Sequence, residues 1–256
     1  MRENLLKVLW QKNAYAVNGW LCLPATFSAE VMAHQGWDSL TIDLQHGLID
    51  YQSAVAMLQA ISTTQTVPLV RVPWRDPAII MKALDAGAYG VICPMVNSAA
   101  EAKEFVAACR YPPAGMRSCG PIRASIYAGP DYTANANRTV IAMAMIETRA
   151  GLDNLDEILS VEGLDAVYIG PSDLSLALGY EPSIDPTEPV VVEAIEHILH
   201  HALKKRIVPG IHTATPAYAR KMIEQGFLFV TVGSDVRLLN EKAAEILQPL
   251  GRGPLQ

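Results

Sequence analysis

With 256 residues, the chain is longer than one small core requires and fits a single α/β barrel, which takes roughly 250 residues. Half of its residues are hydrophobic and 18% are charged, a balance that supplies a large buried core and excludes disorder. The formal net charge is −6 with the 20 Lys and Arg residues scattered, so no basic stripe exists for a phosphate backbone and nucleic acid is excluded as a partner.

In chain order, the opening MRENLLKVLWQKN is too interrupted by charge for a signal peptide, and no later run reaches the roughly 18 apolar residues of a membrane span. The chain therefore reads as a cytoplasmic protein with no membrane partner. Short apolar runs then alternate with helical patterns. The strand candidates are GWLCL (19–23), SLTIDL (39–44), VPLVRV (67–72), YGVICP (89–94), VIAMAMIE (140–147), AVYIG (166–170), IVPGI (207–211) and FLFVTVG (227–233). Between them, 29–35, 52–62, 77–86, 99–110, 188–205 and 216–225 have helical composition. Gly87 and Gly226 stand where a left-handed glycine ends a helix before the next strand. Strands that are apolar almost throughout suit a parallel sheet buried on both faces. Eight strand and helix units in series, with no G-x-G-x-x-G after the first strand, predict a closed (β/α)8 TIM barrel rather than a doubly wound sheet. Two segments break the rhythm. Residues 111–137 are rich in Pro and Gly without clear periodicity and read as a long functional or mobile loop. The end from Pro249 has no core-forming pattern, so the barrel domain is placed at 1–248 and a flexible tail at 249–256. Cys22, Cys93, Cys109 and Cys119 form no C-x-x-C pair and no zinc-like spacing with histidine, which favours reduced thiols over disulfides or a structural metal.

In a barrel of this kind the reacting groups come from the C-terminal ends of the strands. The second strand ends in Asp43-Leu44-Gln45-His46, the third delivers Arg71 and the fifth Glu147. The sixth runs into Gly170-Pro171-Ser172-Asp173, and the seventh gives His212. A single polar residue at a strand end is expected whatever the function; the convergence of two acids, an arginine and a histidine on one rim is the signal. Glu147 and Asp173, with no histidine or cysteine close in sequence, suit a hard cation, Mg²⁺ or Mn²⁺, better than zinc. Two structural alternatives stay open, Asp173 as a helix-start acid and Glu147 as a partner of Arg149 or Arg71. Ser172 is a candidate N-cap, and the Gly170-Pro171-Ser172 turn offers helix-start N–H groups to an anion. Arg71, inside an otherwise apolar strand, needs an anion or an open mouth. A 2-oxo acid satisfies cation, helix start and arginine together. A Schiff-base route needs a lysine at a strand end, and Lys7, Lys12, Lys82, Lys103, Lys204, Lys205, Lys221 and Lys242 all fall in predicted helices or their flanks.

The segments IDLQHG (42–47), LVRV (69–72), KALDAGAYGVICPMV (82–96), RYPPAGMRS (110–118), IETRAGLDNLDEIL (146–159), VEGLDAVYIGPSDLSLALGY (161–180) and FVTVGSD (229–235) resemble the metal-dependent, class II pyruvate aldolases of the HpcH/HpaI family over nearly the whole chain. The pairing of IETR with VYIGPSDLS is the specific part. The resemblance implies barrels assembled as homo-hexamers with the eighth barrel helix exchanged between subunits. It implies Mg²⁺, Mn²⁺ or Co²⁺ on Glu147 and Asp173, and Arg71 stabilising an enolate. His46 becomes the catalytic histidine, paired across a subunit boundary with Asp85. Gly170, Pro171, Ser172, His212 and Trp20 become substrate-binding residues. The implied reaction is reversible aldol cleavage of a 4-hydroxy-2-oxo acid to pyruvate and an aldehyde. Competing expectations are an oxaloacetate decarboxylase using the same site, and a non-catalytic barrel that binds 2-oxo acids. Taken on sequence alone, Asp85 is a surface residue before a C-cap glycine. Three positions depart from the usual pattern: Gln45 stands where many relatives have Glu, Met145 where many have Gln, and His212 where many have an aliphatic residue near the aldehyde end of the pocket.

Overall fold

The computed structural model describes residues 1–253 of the chain. Its first half runs α1 (Leu5–Gln11), β1 (Ala16–Leu21), α2 (Thr26–Ala33), β2 (Ser39–Asp43), α3 (Tyr51–Ile61), β3 (Val67–Arg71), α4 (Pro77–Asp85), β4 (Gly90–Cys93) and α5 (Ala99–Cys109). There follow α6 (Ile122–Ala128), α7 (Tyr132–Thr139), β5 (Ile141–Ile146), α8 (Arg149–Asp153), α9 (Leu155–Ile158), β6 (Ala166–Ile169) and α10 (Pro171–Ala177). The last elements are α11 (Pro189–Lys205), β7 (Val208–Thr213), α12 (Pro216–Gln225), β8 (Phe229–Ser234), α13 (Asp235–Leu247) and a 3₁₀ turn at Gln248–Leu250. The eight strands are parallel, each bonds to the next, and β8 returns to β1, closing the (β/α)8 barrel expected from the sequence.

Alternate residues of each strand face opposite ways, and here both directions are mainly apolar. Outward residues such as Ile42, Val70, Val91, Ala144 and Val167 pack under the helices. Inward residues such as Trp20, Leu69, Ile92, Met143, Tyr168 and Phe229 fill the barrel. The N-terminal end of the barrel is closed by α1, whose Leu6 and Trp10 are buried, with Trp10 edge-on to Phe229 at 6.0 Å. The opposite, C-terminal end is the mouth.

Two expectations are corrected. Residues 111–137 are not one long loop but carry α6 and α7, whose buried residues are Ala124, Ala128, Tyr132 and Ala136. An apolar face made mainly of alanine gives too weak a contrast to show as periodicity. The first strand begins at Ala16, three residues before the expected start, because the Ala16 amide bonds to Leu228 O and extends the ladder with β8. It ends at Leu21, because Asp235 takes the amides of Cys22 and Leu23 at 2.9 and 3.1 Å.

The eighth barrel helix, α13, buries only Asp235. Its Leu239 and Ile246 are 63% and 58% exposed. Beside β8 and β1 a groove of about 460 Å³ runs along Val17, Ala219, Ile223, Val230 and Val232. The tail expected from Pro249 starts inside the 3₁₀ turn, and 254–256 lie outside the described residues.

Candidate active site

Register builds the mouth. Strands β2 and β3 pair with Asp43 opposite Arg71. The guanidinium grips that carboxylate with two bonds, Nε to Oδ1 at 2.8 Å and Nη2 to Oδ2 at 2.5 Å. Asp43 also accepts from the backbone N–H of Gln45 and of His46, at 3.0 and 3.3 Å, and from Trp20 Nε1 at 3.2 Å. Burial opposes its charge, but the Arg71 contacts and the other donors outweigh it and hold the carboxyl below its ordinary range. The Arg71 guanidinium also lies over the Trp20 ring, 4.8 Å from its centre. Asp43, assigned no role from sequence, is thus what aims Arg71. A charged residue closing each of two neighbouring apolar strands was the signal for it.

Glu147 stands just past β5, 2% exposed. Its Oε1 accepts from the Met95 amide at 2.8 Å. Met95 holds φ at +55° to present that amide, a left-handed conformation uncommon for a non-glycine residue. Burial raises the Glu147 carboxyl to about 7; the Asp173 charge adds to the rise, while the Met95 amide and Arg71 oppose it. Among the described residues Glu147 makes no ion pair. The alternative pairing with Arg149 or Arg71 therefore fails: Arg149 is exposed and Arg71 is taken by Asp43.

The turn after β6 differs from expectation by two residues. Gly170, not Ser172, is the N-cap of α10, and Pro171 occupies the first helical position, where its fixed φ is pre-organised. Ser172 and the exposed Asp173 complete the first turn. A Cβ on Gly170 would overlap Glu147 Oε2, so glycine lets the helix start close on that carboxylate. Met145, the departure below Glu147, is 2% exposed, and its Cε lies 3.0 Å from where that Cβ would be. Gln45 has a buried Oε1 without a hydrogen-bond partner among the described residues.

The ring of Tyr168 also stacks on Trp20, at 6.0 Å with an 8° tilt, and His212 meets Trp20 edge-on at 5.0 Å. His212 Nδ1 is 3.0 Å from Tyr168 Oη. Burial, then the Arg71 charge, pushes the imidazole down to about 4, so it is neutral near pH 7. Trp20, Arg71, Glu147, the Gly170–Asp173 turn and His212 therefore all occupy the C-terminal end. His46 lies there too, with its residue exposed. Asp85 does not. It ends α4, which runs back towards the opposite end, and it bonds Arg117 Nη2 at 2.6 Å. One chain does not bring Asp85 to His46.

Comparison with known proteins agrees with this geometry. The model of the HpcH/HpaI aldolase/citrate lyase family matches residues 19–241. A hydroxypyruvate/pyruvate aldolase of Rhizorhabdus wittichii is 45% identical over 246 residues, covering 95% of this chain and 97% of that protein. A 4-hydroxy-2-oxo-heptane-1,7-dioate aldolase of Escherichia coli is 41% identical over 248 residues, covering 96% and 94%. The crystal structure of an HpcH/HpaI aldolase/citrate lyase family protein from Burkholderia cenocepacia superposes with a TM-score of 0.91 at 30% identity, covering 98% of this chain and all of that one. With the barrel, the rim of acids and arginine and these matches in agreement, the chain belongs to the HpcH/HpaI aldolase/citrate lyase family.

Proposed function

We propose that the protein catalyses reversible aldol cleavage of a 4-hydroxy-2-oxo acid to pyruvate and an aldehyde, using Mg²⁺, Mn²⁺ or Co²⁺ held by Glu147 and Asp173. The observation that carries this is Glu147: a buried carboxylate with no ion-pair partner among the described residues, beside the start of α10 at the barrel mouth. An isolated buried carboxylate is costly unless a cation satisfies it. Two carboxylates, with no third protein ligand among the described residues, suit a hard cation that keeps positions for water and substrate. Names of the relatives, for hydroxypyruvate, pyruvate and a 4-hydroxy-2-oxo dioate, support 2-oxo acid chemistry.

The bound cation supplies Lewis-acid polarisation of the 2-oxo carbonyl. Backbone N–H groups of the Gly170–Ser172 turn hold the substrate carboxylate. When the C3–C4 bond breaks, negative charge collects on the former carbonyl oxygen. Arg71 has Nε and Nη2 engaged with Asp43 and presents its remaining N–H groups to that charge, where fixed donors act most strongly. His46 takes the C4 hydroxyl proton directly or through a water, and Asp85 of a neighbouring subunit orients it. A homo-hexamer that exchanges α13 accounts for the exposed apolar residues of that helix and for the open groove beside β8. The test is proton exchange at C3 of pyruvate in deuterium oxide with borohydride trapping in parallel. Exchange that needs added Mn²⁺, with no pyruvyl-lysine adduct, is expected. A borohydride-trapped lysine adduct overturns the metal-dependent reading.

A further inference from the structure

The barrel interior carries a polar thread that the proposed chemistry does not use. Asn18 Oδ1 accepts from Ser39 Oγ at 2.8 Å and from Thr41 Oγ1 at 3.1 Å. Asn18 Nδ2 donates to Thr231 Oγ1 at 2.9 Å. Thr231 Oγ1 and Tyr168 Oη are 2.6 Å apart, and Tyr168 Oη is 3.0 Å from His212 Nδ1. Asn18, Ser39, Thr41, Tyr168 and Thr231 are each 0% exposed. Buried polar groups of this kind are satisfied by hydrogen bonds, so each O–H of the thread calls for an acceptor.

Counting protons gives the thread a direction. The two hydroxyls at 2.6 Å can bond with either proton between them. If Tyr168 donates to Thr231, then Thr231 Oγ1 receives two donors, from Asn18 and Tyr168, and its own buried proton has no acceptor among the hydrogen bonds of this structure. The opposite order gives every hydroxyl proton an acceptor: Asn18 N–H to Thr231 Oγ1, Thr231 O–H to Tyr168 Oη, Tyr168 O–H to His212 Nδ1. An unmet buried donor costs more than a hydrogen bond gains, so the second order is favoured. It makes Nδ1 an acceptor and leaves the ring proton on Nε2.

We propose that this buried thread fixes His212 as a neutral imidazole with its proton on Nε2, a hydrogen-bond donor at the barrel mouth that selects aldehydes carrying a hydroxyl or carboxylate. The proposal rests on the aldolase reading. Trp20 ties the donor to the site, because Arg71 lies over its ring and His212 meets it edge-on. The enolate charge belongs on the Arg71 side, and the aldehyde fragment has the histidine side. A neutral donor there favours an oxygen-bearing aldehyde without requiring that the aldehyde be anionic, and a bulky alkyl group leaves the donor unmet. Tyr168 and Thr231 act through His212 and are positioning residues.

The experiment has two arms on the full-length protein loaded with Mg²⁺. The first is ¹⁵N–¹H correlation of the imidazoles near pH 7, with His212 assigned by its absence in His212→Gln. The proton is expected on Nε2; a signal from protonated Nδ1 overturns the proposal. The second is the ratio of kcat/KM for glycolaldehyde over propionaldehyde as acceptors with pyruvate. That ratio is expected to fall about tenfold in His212→Leu and severalfold in Thr231→Val, and to recover in Thr231→Ser, which restores the hydroxyl. Circular dichroism confirms that each variant is folded. A folded His212→Leu protein with an unaltered ratio overturns the proposal. The aldolase reading fails separately, if the wild-type protein neither joins pyruvate to any aldehyde nor exchanges its methyl protons.

Discussion

At Arg71 the charge is already matched by Asp43, so what this pair contributes to the mouth is direction. Arg71→Lys keeps the charge and loses the planar fork that Asp43 grips. We expect a rate loss on the order of 10²-fold, equivalent to a few kcal/mol of transition-state stabilisation, in a protein that still folds. Near-normal turnover in that variant removes Arg71 from the chemistry. Glu147 gives a prediction in pH. Its carboxyl is raised by burial from 4.5 to about 7 in the folded protein, so between those values the folded state holds the extra proton. Stability contributed by that proton is full below pH 4.5 and is lost as pH rises through 7. His212 acts in the opposite sense: lowered by burial from 6.5 to about 4, it makes folding more favourable as pH rises across that interval. The two windows overlap and mask each other in the wild type. Glu147→Gln isolates the first. In metal-free protein its advantage over wild type in unfolding free energy should grow between pH 5 and 7, by an amount on the order of 2 kcal/mol. A pH-independent difference means that Glu147 is not the buried, unpaired carboxylate described here.

The start of α10 shows how an element carries the site. Gly170 is the N-cap, and a side chain there collides with Glu147 Oε2. Gly170→Ala is expected to weaken Mn²⁺ binding by at least tenfold in titration calorimetry while leaving the barrel folded; unchanged affinity contradicts the placement of the cation between β5 and α10. The same element shows where the sequence speaks clearly and where it is quiet. Strand ends were legible because a charge closing an apolar run, as at Arg71 and Glu147, stands out. Asp43 closes such a run as well, yet its role emerges only when the register with β3 sets it opposite Arg71. Asn18, Thr41 and Thr231 were invisible as a group. In strands buried on both faces the inward positions have no alternation to mark them, and their side-chain partners lie 21 to 213 residues away. Helices α6 and α7 were lost for the complementary reason, their buried faces being largely alanine. Ser172 has the side chain of a good cap, but the backbone geometry of Gly-Pro sets the helix start two residues earlier.

At the scale of the whole molecule, the barrel has one mouth, and two features remain unfinished within a single chain. Asp85 points away from the mouth, held by Arg117, and α13 leaves its apolar residues uncovered. In the proposed assembly both are completed by further copies of the chain. His46→Ala and Asp85→Ala proteins, each inactive alone, should regain part of the activity when their subunits are mixed and allowed to exchange, because some mixed interfaces contain one intact pair. A fully active monomer in solution contradicts this assembly. The proposed reaction is a cation-dependent cleavage driven from Glu147, Asp173 and Arg71. Its most direct measurement is pyruvate release from a 4-hydroxy-2-oxo acid by protein stripped of divalent metal, verified metal-free, before and after Mn²⁺ is added. No release before addition and full release after it is the expected result; full release from the verified metal-free protein would contradict the account.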